Sequence, residues 1–215
     1  MTTTTPTRRL ILAAGLSLTL AGPVFAQSSA QPSALSAEDR VLIDKATAYI
    51  QTLGSAKGRF VQTDARGTQT QGDFYLQRPG KARFAYDGPN GLLVVSNGSA
   101  VNIFDSRLKT FESYPLSRTP LALLLAREVR LDRGVRITAV RKLSDGFTIQ
   151  AVDAKKETRG RIELNFSNEP ALIGWTVTDA KGAETRVRLV GFEKTAGLDP
   201  KLFVLNDPRR RVGKP

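Results

Sequence analysis

Along most of the chain apolar and polar residues alternate with a period of two. Ile162, Leu164 and Phe166 share one face, as do Ile173, Trp175 and Val177, while Arg186 and Arg188 alternate with Val187 and Leu189. The pattern predicts strands at RFVQTDA (59–65), TQTQGDFYLQR (68–78), ARFAYD (82–87), LLVVS (92–96), AVNIFD (100–105) and KTFESY (109–114). Five more follow at VRITAVRK (135–142), FTIQAVD (147–153), RIELNFS (161–167), LIGWTVTD (172–179) and ETRVRLVGF (184–192). The separators are short, among them Ala65-Arg66-Gly67, Pro79-Gly80, Asn97-Gly98, Asp145-Gly146 and Lys181-Gly182. Such connections make neighbours antiparallel, so the body is an antiparallel meander of about eleven strands, long enough to curl into a barrel or half-barrel.

Two stretches depart from that period. After Ser36, a candidate N-cap, AEDRVLIDKATAYIQTL places Leu42, Ala46, Tyr49, Ile50 and Leu53 at helical spacing, with acids in the first turn and Gly54 as the stop. Its apolar stripe needs a surface to cover. In SRTPLALLLAREVRLD, Thr119 is the expected N-cap and Pro120 the first helical residue of an apolar run from Leu121 to Ala126. Leu121, Leu124 and Leu125 form one face, but Ala122, Leu123 and Ala126 make the others apolar too, so the helix is covered on more than one side. A run this short also fits a buried strand; the Thr-Pro start favours helix. Two helices over a curved sheet make the fold mainly β, of the α+β class.

One charge contradicts the pattern. In GDFYLQRPG, alternation puts Arg78 on the same face as Phe74 and Leu76, just before a Pro79-Gly80 corner. A guanidinium sealed among apolar side chains without partners is costly, so Arg78 needs acceptors supplied by some other part of the chain.

The first residues do not belong to this body. MTTTTPTRR is followed by the apolar LILAAGLSLTLAG and then PVFAQ, with Val24 and Ala26 at the small-residue positions of a cleavage site, which predicts a cleavable signal peptide over 1–26. Thr7, Arg8 and Arg9 before Leu10 loosely match a twin-arginine signal, but two basic residues also suit the general secretory route, which is favoured. A small, polar leader occupies 27–35, a single domain 36–208, and a basic tail, DPRRRVGKP in its context, ends at 209–215.

Composition removes most chemistry. The 215 residues include no Cys and no His, which excludes disulfides, thiolate or histidine metal sites and His-dependent nucleophiles. Carboxylate catalysis at, for example, Asp73 or Glu163 stays open, although each sits singly in an alternating strand where solvent exposure is the ordinary state. No metal and no cofactor are implied. The formal charge of +12, about +10 without Arg8 and Arg9, favours anionic partners, of which nucleic acid is the poorer fit for an exported chain.

The ordered blocks GRFVQT (with Phe60 and Gln62), QGDFYLQRPGKARFAYDGP, LLVVSNGSAVNIFD and TPLALLLARE resemble the periplasmic outer-membrane lipoprotein carrier family, LolA-type, over nearly the whole mature chain. The resemblance implies an unclosed antiparallel barrel with a helical lid over an apolar cavity, and no enzyme activity. It implies transfer of acylated lipoproteins from an inner-membrane ABC-type releasing complex toward the outer membrane, where a separate acceptor is a further partner. It makes Arg78 the latch that bonds the lid, and the block from Thr119 and Pro120 through Leu121, Leu124 and Leu125 a lid helix. The expected acyl-chain cavity comprises Phe60, Phe74, Leu76, Phe84, Tyr86, Ile103 and Trp175, with Ala82 standing where many members carry an aromatic. The chain is expected to act as a monomer. A lipoprotein sensor or a carrier of another lipid on the same fold is the alternative.

Overall fold

The computed structural model describes residues 35–88, 91–129, 131, 135–154 and 160–208. The signal segment 1–26, the leader as far as 34 and the tail 209–215 lie outside the described residues.

Helix α1 (Ala37–Thr52) begins at a capping box: the Ser36 hydroxyl accepts from the Asp39 N–H at 3.0 Å and the Asp39 carboxylate accepts from the Ser36 N–H at 2.9 Å. The strands follow as β1 (Ser55–Thr63), β2 (Gln69–Gln77), β3 (Lys81–Tyr86), β4 (Leu92–Asn97), β5 (Ala100–Asp105) and β6 (Thr110–Pro115). A 3-10 turn (Leu116–Arg118) and helix α2 (Leu121–Leu125) precede β7 (Val135–Lys142), β8 (Gly146–Asp153), β9 (Gly160–Ser167), β10 (Leu172–Asp179) and β11 (Glu184–Lys194). A second 3-10 turn (Pro200–Phe203) comes last.

All eleven strands form one antiparallel sheet in the order β6-β5-β4-β3-β2-β1-β11-β10-β9-β8-β7. Consecutive strands are neighbours except that β1 closes onto β11, which leaves β6 and β7 as unpaired edges. The barrel is therefore unclosed. Because β6 and β7 are consecutive in the chain but lie at opposite edges, the segment between them, which holds α2, connects the two sides of the opening. Bulges in β11 at Gly191–Phe192, opposite Gly58 of β1, and in β10 between Leu172 and Gly174 add the local bend that curls the sheet.

The inner face carries the core: Phe60, Phe74, Leu76, Ile149, Leu164 and Phe166 are buried there against Ile43, Ala46 and Ile50 of α1, Leu53 just after it, and Leu124 and Leu125 of α2. The stripe of α1 is thus centred on Ile43, which the sequence expectation passed over, with Leu42 and Tyr49 half-buried on its flanks. Ile43, Ala46 and Ile50 stack at i, i+3 and i+7, an equally regular helical row.

A second correction concerns Thr119. Its hydroxyl donates to the Leu116 carbonyl at 2.8 Å and its N–H to the same carbonyl at 2.9 Å, so it closes the first 3-10 turn instead of capping α2. Pro120 takes the N-cap position and the helix proper starts at Leu121, without any side-chain cap. The apolar character all round α2 has the predicted consequence: none of its five residues is exposed.

Candidate functional site

The corner Arg78-Pro79-Gly80 joins β2 to β3 and touches both helices. The Arg78 N–H donates to the Gly54 carbonyl just beyond α1 at 2.7 Å, and the Gly80 N–H donates to the Leu125 carbonyl at the end of α2 at 2.8 Å. Gly80 is needed here: its φ is +82°, and a Cβ would stand 2.6 Å from Gly98 Cα.

The Arg78 guanidinium repeats the same bridge with its side chain. Nη1 donates to the Ile50 carbonyl in the last turn of α1; Nη2 donates to the Ala126 carbonyl at the end of α2, with the Arg127 carbonyl at 3.3 Å and Gln51 Oε1 at 3.4 Å. The carbonyls at a helix end lack partners inside the helix, and a forked cation can satisfy several at once. Burial lowers the guanidinium pKa below its ordinary value, but at any working pH the group stays charged. Its Nε is buried with no hydrogen-bond partner among the described residues. The bridge therefore combines strong bonds with an uncompensated desolvation cost.

Directly beneath lies a cluster of rings. Phe74 stacks on Phe84 at 4.6 Å and on Phe192 at 5.6 Å, and meets Trp175 edge-on at 5.8 Å. Phe60 meets Phe84 edge-on at 5.4 Å and Tyr86 at 4.9 Å. Of the predicted cavity residues, Phe60, Phe74, Leu76, Phe84 and Trp175 are buried, whereas Tyr86 and Ile103 are half-buried. Half-buried Val94, Ile137 and Val177 also belong to the inner face.

Sequence reasoning missed Phe192, whose strand was predicted but whose bulged register with β1 was not, and the contacts that seat α1. Tyr49 packs edge-on against Phe166 at 6.4 Å under the Lys194 ammonium, which also donates to Thr52 Oγ1 at 2.8 Å; Lys142 pairs with Glu38. The charged residues face outward. Arg59 binds Asp73 at 3.0 Å and also Asp87, whose carboxyl it holds below the ordinary range, and Arg141 binds Glu163. Arg141 and Glu163 line a polar cleft of about 570 Å³ on the outer face of β7–β11.

An unclosed antiparallel barrel, apolar within, whose two covering helices are joined through one arginine is the class of fold that the structure defines. The match to known proteins is narrower. The family model of the outer membrane lipoprotein carrier protein LolA matches residues 51–206, and the chain belongs to that family. An outer-membrane lipoprotein carrier protein of Methylococcus capsulatus is 32% identical over 69% of this chain and 74% of its own length. A protein of the same name from Chromobacterium violaceum is 25% identical over 93% of both. The crystal structure of a LolA superfamily protein from Nitrosomonas europaea is similar at a TM-score of 0.45, with 10% identity over 77% of this chain and 97% of that one.

Proposed function

We propose that this protein is a periplasmic carrier that shields the acyl chains of lipoproteins released by an inner-membrane ABC-type complex and delivers them toward the outer membrane, to an acceptor where the cell has one. The proposal takes 1–26 as a cleaved export signal and 36–208 as the carrier domain, acting as a monomer. The observation that carries it is the apolar inner face covered by two helices that share one guanidinium.

An acyl chain in water costs roughly 0.8 kcal/mol per methylene, so cargo freed from a membrane needs a dry surface at once. An empty, uncovered surface of that kind would itself stick to membranes and other proteins. A cover held by hydrogen bonds to helix ends meets both demands, because it can be released without disrupting the core. The orphaned Nε and the half-buried charge of Arg78 keep the closed state from being too favourable. Cargo then shifts the equilibrium by its own preference for the open form. Catalysis has no support in the geometry: Asp73 and Glu163, the carboxylates considered for it, are engaged by Arg59 and Arg141 on the outer face, away from the interior.

Isolation of the protein from periplasm followed by mass spectrometry of what it holds tests the reading directly. Acylated polypeptides are expected. Recovery of free phospholipid alone would favour the lipid-binding alternative and overturn lipoprotein carriage.

A further inference from the structure

Beside Phe60, polar side chains interrupt the apolar inner face. Register places Phe60, Gly72 and Tyr86 in one row across β1, β2 and β3. Gly72 presents no side chain between its neighbours, and a Cβ there would come within 2.1 Å of the Ala85 carbonyl. Tyr86 can therefore lean across β2. Its ring meets Phe60 at 4.9 Å, and its hydroxyl donates to Gln62 Oε1 on β1 at 2.7 Å. Gln62 shares the inner face with Phe60, two residues along the same strand. The bond fixes which way the Gln62 amide points and uses its oxygen, while its two N–H donors meet no acceptor among the described residues. Burial pushes the Tyr86 phenol up to about 12, so the hydroxyl remains a donor throughout the working range of pH.

A pair of donors on a partly exposed residue, set among apolar side chains of the inner face, suits a ligand that is hydrocarbon for most of its length and carries an acceptor at its head. We propose that Gln62, oriented by Tyr86, recognises the ester or amide carbonyl at the head of a bound acyl chain, whose methylenes lie against Tyr86, Val94 and Ile103. This rests on the carrier reading above and makes it more specific: the interior selects acylated groups over plain alkyl chains. Tyr86 is the positioning residue and Gln62 the one that contacts ligand.

The test uses two synthetic cysteinyl lipopeptides that differ only in linkage, one with ester-linked and one with ether-linked C16 chains, titrated into the purified full-length protein. The wild type is expected to bind the ester form about fivefold more tightly, the size of one neutral hydrogen bond. Gln62→Met keeps the length but removes the donors; it should abolish that preference by weakening the ester form more than the ether form, with an unchanged thermal unfolding midpoint as the folding control. Tyr86→Phe keeps the ring contacts and should shrink the preference. Equal loss for both ligands in Gln62→Met, or an unaltered ester preference, overturns the recognition role and leaves the carrier reading standing. Failure of the wild type to bind either lipopeptide overturns both.

Discussion

Helices α1 and α2 meet at one guanidinium, yet they are held in different ways. α1 has 16 residues, a capping box at its start, three buried side chains along its length and an aromatic contact with the sheet. α2 has five residues and no side-chain cap, and its C-terminal carbonyls depend on Gly80 and Arg78. A helix of fewer than about 12 residues has almost no stability of its own in water. The difference teaches which half of the cover is held more firmly: α1 is seated along its length in the core, whereas α2 is held by Leu124, Leu125 and the corner at its end.

The most severe test removes that seat. Leu124 is buried, and Leu124→Ala should cost about 2–5 kcal/mol in denaturant unfolding, in line with other large-to-small core changes. Leu121 is only half-buried, so Leu121→Ala should cost less than half as much. Equal losses would mean that α2 is not anchored through its C-terminal half.

Next in size is Arg78→Leu, which strips the Ile50 and Ala126 carbonyls of their donor while relieving the orphaned Nε. A net shift of about 2 kcal/mol toward the open cover is expected. Hydrogen exchange should then quicken by about 30-fold at the amides of α2 and much less along Ile43–Ile50, where the core holds α1. The fold should survive, and transfer of acylated cargo to acceptor membranes should slow. Uniform acceleration in both helices would erase the distinction drawn between them, and an unchanged transfer rate would remove Arg78 from the carrier cycle.

Ser36→Ala acts on the other helix and more weakly. Loss of an N-cap hydroxyl costs about 1 kcal/mol, or about 2–4 °C in melting temperature for a domain of this size. Exchange in α2 should not follow. If it does, the helices open together.

These contrasts were unevenly visible in the sequence. β7 and β10 have the bounds that alternation predicted, and all eleven strands were anticipated, because side-chain period and turn residues are local signals. The bulge at Leu172–Gly174, however, turns Ile173 out to solvent and off the face it was expected to share with Trp175 and Val177. Thr119 was misassigned because two local partners compete for its hydroxyl and the 3-10 turn before it leaves no mark in the pattern. Arg78 could be placed on the apolar side by counting, but its acceptors lie 28 and 48 positions away and depend on where two helices dock. The Gln62–Tyr86 bond, across 24 positions, becomes visible only when strand register puts Gly72 between them. Non-local pairing is the part that alternation cannot supply.

The smallest effect concerns the charge at the start of α1. The Ser36 backbone N–H, then its hydroxyl, hold the Asp39 carboxyl below the ordinary 3.8, with Lys142 adding a minor attraction and burial opposing them. A carboxyl whose folded-state pKa is depressed contributes stability that is present above the unfolded value and is lost as pH falls through the folded one. Asp39→Asn keeps an acceptor for the Ser36 N–H but cannot ionise, so it also forfeits the favourable charge in the first turn. The wild type should therefore melt slightly above Asp39→Asn at neutral pH, and the gap should close as both are titrated below 3.8. Residues 121–125 of α2 hold no titrating side chain, so exchange there should show no matching step over that range. A gap that persists undiminished in acid would show that the difference lies in amide packing instead of ionisation, and a parallel step in α2 would show that the start of α1 and the latch end of the cover are coupled after all.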